Sequence, residues 1–195
     1  MELTEAIKER RSIRRYKSDP VPHEVIQEIL ENAVWAPSAQ NLQPWYFLAL
    51  TNPNDLRELF DMMGTSVYSH RKRLEDRFKN NPEVVEETLE FLQEMGGAPC
   101  LILAFLLKPT YSEGIIPSCV ESVAAAMNNI CLLAYEKGLG TCWVEEVVRE
   151  RERIEARFAP DKGPLLGAVV LGYPDTDPRP IKRKAVSYTH LRAHE

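Results

Sequence analysis

The chain has 195 residues, 44% of them hydrophobic and 27% charged, with a formal net charge of −5 at pH 7. That length suits one domain with a substantial core. The acidic balance argues against a chain built to coat nucleic acid or an anionic membrane. No apolar run reaches the length of a membrane span and the N-terminus lacks the apolar centre of a signal peptide, so a cytoplasmic protein is expected.

Taken in order, residues 3–10 predict a short helix with Thr4 as its cap and Leu3 and Ile7 on one face. After the turn Asp19-Pro20-Val21-Pro22, residues 22–34 form an amphipathic helix through Val25, Ile26, Ile29, Leu30 and Ala33. Ala36-Pro37 ends it, because a residue before proline avoids the helical region. The run PWYFLAL (44–50) reads as a buried strand, and Asn52-Pro53 as the start of a helix reaching about residue 63. Residues 65–95 are charged and helical, with a break near Asn80-Asn81-Pro82. The run PCLILAFLL (99–107) is an interior strand.

Residues 117–140 predict the longest helix, closed by Gly138. Val120, Val123, Ala124, Met127, Ile130, Cys131, Leu133 and Ala134 cover more than one stripe of it, so it is buried on most sides, and a second subunit could supply one of those sides. A short strand at 141–144, a charged helix at 147–158 and an interior strand at 165–174 complete a single α+β domain. The four cysteines, Cys100, Cys119, Cys131 and Cys142, have no CxxC pair and read as reduced, buried thiols. Two of the four histidines, His190 and His194, fall in the tail, so no metal site is expected.

The chemistry gathers in two segments. Arg10, Arg11, Arg14 and Arg15 crowd around Ser12 where the first helix ends. Such a cluster either complements the helix dipole in solvent or grips phosphate, since guanidinium forks pair with phosphate oxygens and a serine hydroxyl adds a neutral donor. A second basic run, RPIKRK (179–184), favours phosphate, because Lys182 and Lys184 point the same way in an extended segment. The second segment is APSAQNLQPWYF (36–47). Its small residues let backbone approach a flat ligand, and Asn41 and Gln43 offer donors and acceptors to a heterocycle edge.

The order RRSIRRY, WAPSAQNLQPWYF, the apolar helix into KGLGTCWV, then VVLGYP and RPIKRK resembles the FMN-dependent nitroreductase family over about residues 3–185. The resemblance implies a three-layer α/β/α fold, with a central mixed, mostly antiparallel sheet flanked by helices, in a domain-entwined homodimer holding FMN at the subunit interface. On that pattern the cofactor-binding basic motif falls on Arg10, Arg11, Ser12 and Arg14: Arg10 and Ser12 hold the flavin phosphate and ribityl chain, Arg14 reaches the pyrimidine edge, and Lys182 and Lys184 join the phosphate. Pro37, Ser38, Ala39, Asn41 and Gln43 match the segment that the partner lays against the ring. Cys142, Trp143, Val144 and Glu145 match the segment packed near its reactive nitrogen. Trp143-Val144-Glu145-Glu146 stands where many relatives carry an early glycine, which alters the shape and charge of the substrate pocket.

The implied activity is ping-pong hydride transfer from NADH or NADPH through the flavin to a small electron-poor acceptor: a nitroaromatic, quinone, enone or flavin. The protein supplies orientation and electrostatics rather than an acid–base constellation. Reductive dehalogenation or flavin fragmentation on the same fold is the alternative, with residues 64–96 as a candidate lid. A non-catalytic binder of phospho-ligands or nucleic acid is the alternative from another class. Net acidity and the lack of interleaved aromatics count against it.

Three further stretches receive plain structural readings. His70-Arg71-Lys72-Arg73 reads as solvated surface, with contact to a cofactor or substrate phosphate as the alternative, and the Glu/Arg alternation over 145–157 as a solvated helix face with i,i+4 pairs. Asn128 and Asn129 need partners, which a dimer seam could provide. The last residues, VSYTHLRAHE, lack the proline-containing arm of the family pattern. The domain is therefore placed at 1–186, with 187–195 a non-native or disordered tail.

Overall fold

The computed structural model describes residues 2–107, 113–178, 183 and 185. In chain order its elements are α1 (Leu3–Glu9), α2 (His23–Ala33), β1 (Trp45–Leu50), α3 (Pro53–Val67), α4 (Arg71–Arg77), α5 (Pro82–Glu94), β2 (Cys100–Leu106), α6 (Ile116–Glu136), β3 (Gly140–Val144), α7 (Arg151–Phe158) and β4 (Leu165–Gly172). The strands pair antiparallel in the order β1-β2-β4-β3.

Alternation along the two central strands divides the core into two halves. Cys100, Ile102, Ala104 and Leu106 of β2, with Val169 and Leu171 of β4, face α2 and α6. Leu101, Leu103 and Phe105, with Leu165, Ala168 and Val170, face α3, α5 and α7. The result is the expected α/β/α sandwich. A β-bulge at Ala104/Phe105 lets Leu165 and Ala168 point to the same side, because the extra residue on β4 resets its period of two. Phe105 is wholly buried, and its truncation to alanine would cost about 3–5 kcal/mol.

Helix ends follow local chemistry in part. Asn52 Oδ1 accepts from the Asn54 amide at 2.8 Å, as its position before Pro53 predicts. Gly138, with φ of 73°, ends α6 while Leu139 N donates back to Ala134 O at 2.9 Å. Thr4, expected to cap α1, lies inside the helix instead, and Glu2 holds the cap position. By length and composition α6 could cross a membrane, yet its buried side chains pack on the sheet and α2, which makes it a core helix. All four cysteines are free and buried.

After Glu9 the chain becomes extended and runs beside the β3 edge. Ser12 forms a parallel bridge with Thr141, and Tyr16 an antiparallel bridge with Pro174. Ile13 and Tyr16 are buried and anchor the segment, while the arginines around them stay partly or fully exposed. The parallel bridge gives this otherwise antiparallel arrangement its mixed character.

Candidate functional site

Backbone pairing fixes the basic segment before any side chain contributes. Ile13 N donates to Thr141 O at 2.9 Å, Tyr16 N to Gly96 O at 3.0 Å, and Lys17 N to Tyr173 O at 2.9 Å. Tyr16 closes the turn by donating its hydroxyl to Ile13 O at 2.7 Å. Residues 12–17 are thus tied to β3, to the α5–β2 connection and to the end of β4.

The arginines then divide by role. Arg11 turns back and donates to Lys8 O and Arg10 O, serving the end of α1 as the helix-dipole reading anticipates. Arg10, half-buried, and Arg14, exposed, pair with no carboxylate among the described residues. Arg10 borders a cavity of about 270 Å³ together with Ile13, Tyr135, Gly138, Gly140 and Pro174. That volume falls just below the roughly 300–1,000 Å³ of small-molecule sites. A larger hollow of about 420 Å³ spans residues 148–153, but it is open to solvent and its arginines are paired with nearby glutamates.

Cys142 lies against this segment. Burial pushes its thiol up; Arg14, Ser12 and Arg10 oppose the shift, and neighbouring Cys131 adds to it. Burial also raises Cys131, against Thr141 and Arg10, and pushes Cys100 up to about 12. These thiols are held in the protonated form, in keeping with their reading as buried, reduced cysteines.

Residues 37–43 form a strained loop. Gln40, Asn41 and Gln43 all have positive φ, at 51°, 55° and 48°. A left-handed residue other than glycine costs about 1–2 kcal/mol, and asparagine tolerates it best. Side chains hold the loop in place: Ser122 Oγ accepts from Ala39 N at 3.0 Å, Ser38 Oγ from Gln43 N at 3.2 Å, and Asn41 Oδ1 from Gln43 Nε2 at 3.1 Å. Pro37, Asn41 and Gln43 are exposed, while Ser38 and Ala39 are half-buried.

The two groups do not meet within one chain. The loop is fastened to α6 at Ser122, whereas Arg10 lies by Cys131 and Tyr135 near the other end of that helix. At 1.5 Å per residue these anchor points stand about 14–20 Å apart along the axis.

Within 142–146 the strand alternation sorts the candidates. Cys142 and Val144 point into the core facing α3 and α5, so only their backbone can line a cleft, whereas Trp143 and Glu145 are exposed. Glu146 is covered. Its Oε1 lies 2.6 Å from His70 Nε2 and 2.5 Å from Arg149 Nε.

His70 therefore departs from the solvated surface expected of it, being only 4% exposed. Arg71, next in the run, pairs with both carboxylate oxygens of Glu86. The charged face over 145–157 is also more than solvated, because Arg157 reaches Glu58 and Asp55, and Arg153 donates to Met62 O at 3.1 Å. One sequence signal could have disclosed this: Asp55, Glu58 and Met62 repeat at helical spacing, as do Glu146, Glu150, Arg153 and Arg157. Asn129 Nδ2 finds Ala33 O at 3.3 Å, while Asn128 is exposed. Lys182 and Lys184 lie outside the described residues.

A basic extended segment fastened to the sheet of an α/β/α sandwich is an architecture shared by many functions, and sequence comparison makes it specific. The chain belongs to the nitroreductase family, whose model matches residues 7–173. It is 31% identical to the iodotyrosine deiodinase of Thermotoga neapolitana over 183 residues, which cover 91% of each chain. It is 30% identical to the NADH dehydrogenase of Thermus thermophilus over 189 residues, 92% of this chain and 90% of that one. Among solved structures, a Desulfovibrio desulfuricans chain in complex with FMN superimposes with a TM-score of 0.67. It is 26% identical, and the match covers 94% of this chain and 92% of that one.

Proposed function

We propose that this protein is a cytoplasmic, homodimeric, FMN-dependent oxidoreductase that passes a hydride from NADH or NADPH to a small electron-poor acceptor. The observation that carries the reading is the pair of arginines, Arg10 and Arg14, held beside Ser12 with no ion pair to a carboxylate among the described residues of an acidic chain, although Glu9 and Asp177 share the cavity that Arg10 borders. A half-buried guanidinium lacking a carboxylate fits a phosphate, and the Ser12 hydroxyl adds a second donor. The donor set therefore suits FMN. Arg10 and Ser12, with Lys182 and Lys184, would hold its phosphate and ribityl chain, and Arg14 the pyrimidine edge, while Arg11 closes α1.

FMN, when bound, supplies the hydride relay between nicotinamide and acceptor. The chain's own residues bind, orient and tune. Arg14 would place fixed positive charge where reduction leaves negative charge. Trp143, Glu145 and the backbone of Cys142 and Val144 would form one wall. Pro37, Ser38, Ala39, Asn41 and Gln43 of a second copy would form the other, since the axial gap along α6 keeps one chain's loop from its own arginines. The exposed apolar residues Leu3, Ile7, Trp35, Ile116 and Val120 support that pairing.

A second reading, reductive dehalogenation, is favoured by the 31% identical relative named as a deiodinase. An acceptor screen with both nicotinamides should include nitroaromatics, quinones, enones, free flavin and halogenated phenols. The binding reading is tested by titrating FMN and riboflavin. One charge-assisted bond is worth about 1.5–3 kcal/mol, so Arg10→Ala should weaken FMN roughly ten- to a hundredfold. Equal affinity for FMN and riboflavin in the wild type would remove the phosphate assignment.

A further inference from the structure

The polar contacts between the α3 side and the α7 side form an antiparallel ladder. At its outer end Arg157 pairs with Glu58 at 2.9 Å and Asp55 at 3.1 Å; in the middle Arg153 donates to Met62 O; at the inner end His70 meets Glu146. The rungs differ in exposure. Arg157 and Glu58 side chains are 46% and 42% exposed, whereas His70 and Glu146 are 5% and 15%. Exposed pairs contribute little, so the inner rung is the one whose loss should be felt.

The inner rung also has a particular address. Glu146 follows Trp143, Val144 and Glu145 directly, and its carboxylate oxygen is shared by an imidazole from the α3–α4 connection and by Arg149 of its own turn. Arg149 alone would tie Glu146 to its own turn. His70 ties it to a different part of the chain.

We propose that His70 is a positioning residue: by holding Glu146 together with Arg149, it fixes the 143–146 backbone, so the α3–α4 connection sets the wall of the acceptor cleft. The inference rests on the reading that 142–145 borders the flavin. It also explains why a histidine in a strongly basic run is withdrawn from solvent while Lys72 and Arg73 beside it remain exposed.

Hydrogen exchange at amides 143–148 tests it without relying on turnover, using the protein as purified and again with added FMN. His70→Ala should speed exchange there several-fold to about tenfold, the population equivalent of one lost buried polar contact. It should also raise acceptor KM more than it alters FMN affinity. His70→Gln, which keeps a donor near the Nε2 position, should restore most of both. Arg157→Ala, which removes the outer rung, should leave amides 143–148 unchanged. If His70→Ala folds poorly, Glu146→Gln is measured instead and should loosen the same amides.

Unchanged exchange in whichever variant folds overturns the proposal, and so does equal loosening by Arg157→Ala. A wild-type protein that neither is yellow nor binds FMN sinks the flavin reading instead, and the exchange result still decides the positioning role.

Discussion

Gly96 offers a direct probe of whether backbone packing places the arginines. It has φ of 67°, and a Cβ built there would lie 2.2 Å from Arg14 O and 2.7 Å from Arg14 C. Gly97, the next residue, has φ of 73° with nothing within 4 Å of its Cβ position. Both alanine substitutions incur the left-handed backbone penalty, partly offset by a stiffer unfolded chain, for a net of about 1 kcal/mol. Only Gly96→Ala adds overpacking against main chain, about 1–3 kcal/mol more. At 2–4 °C per kcal/mol for a chain of this size, Gly97→Ala should lower Tm by about 2–4 °C and Gly96→Ala by about 4–16 °C. Both scans need one fixed protein concentration, since the proposed dimer would make Tm concentration-dependent. The functional consequence is specific: Gly96→Ala pushes on the Arg14 carbonyl and should weaken FMN several-fold, while Gly97→Ala should not. Equal losses of Tm, or unchanged FMN affinity in Gly96→Ala, would refute the idea that this contact holds the basic segment in place.

Arg14→Gln should lower the flavin midpoint potential and slow reduction by nicotinamide while affecting oxidised FMN binding less than Arg10→Ala; an unchanged potential removes Arg14 from the ring. Arg10→Ala and Asn41→Leu should each cripple a homodimer. On random re-pairing about half the protein is heterodimer with one intact cleft, so roughly a quarter of wild-type activity per site should return. No recovery under proven subunit exchange means each chain builds its own site. Burial holds His70 below its ordinary value despite Glu146, with Arg149 and Arg73 adding to the effect. The unfolded chain therefore binds the proton better. This stability term is complete above about pH 6.5 and is lost as pH falls through the folded pKa. Wild type should lose more stability than His70→Gln between about pH 7 and 5, and parallel pH curves would contradict that sign.

The layers were legible because their cause is local. Continuous apolar runs at 99–107 and 165–174 can only be interior strands, and Asn52-Pro53 and Gly138 mark helix ends through their own side-chain or backbone chemistry. Less visible was anything decided by a distant partner. His70 sits in a run that reads as surface, and the carboxylate it meets, Glu146, lies far along the chain. Thr4 has the right side chain for a cap, yet the helix begins before it. The 145–157 charges fit i,i+4 pairing equally well, and the approach of α3 redirects Arg153 and Arg157 across the gap.

The basic cluster shows both kinds of information in a few residues. Composition alone left two meanings for four arginines, solvated helix end or phosphate site. The fold assigns a different meaning to different members: Arg11 is within one turn of Lys8 and closes the helix, a contact that i−3 spacing permits. Arg10 and Arg14 belong instead to the extended stretch that the Ser12–Thr141 bridge and the Ile13 amide fix against β3. Extended backbone with Ile13 and Tyr16 buried leaves Arg14 and Arg15 outward, while Arg10 borders the cavity. Charge is concentrated where α1 gives out because the change from helix to strand-like pairing turns one run of arginines into a cap and a pair of uncompensated donors.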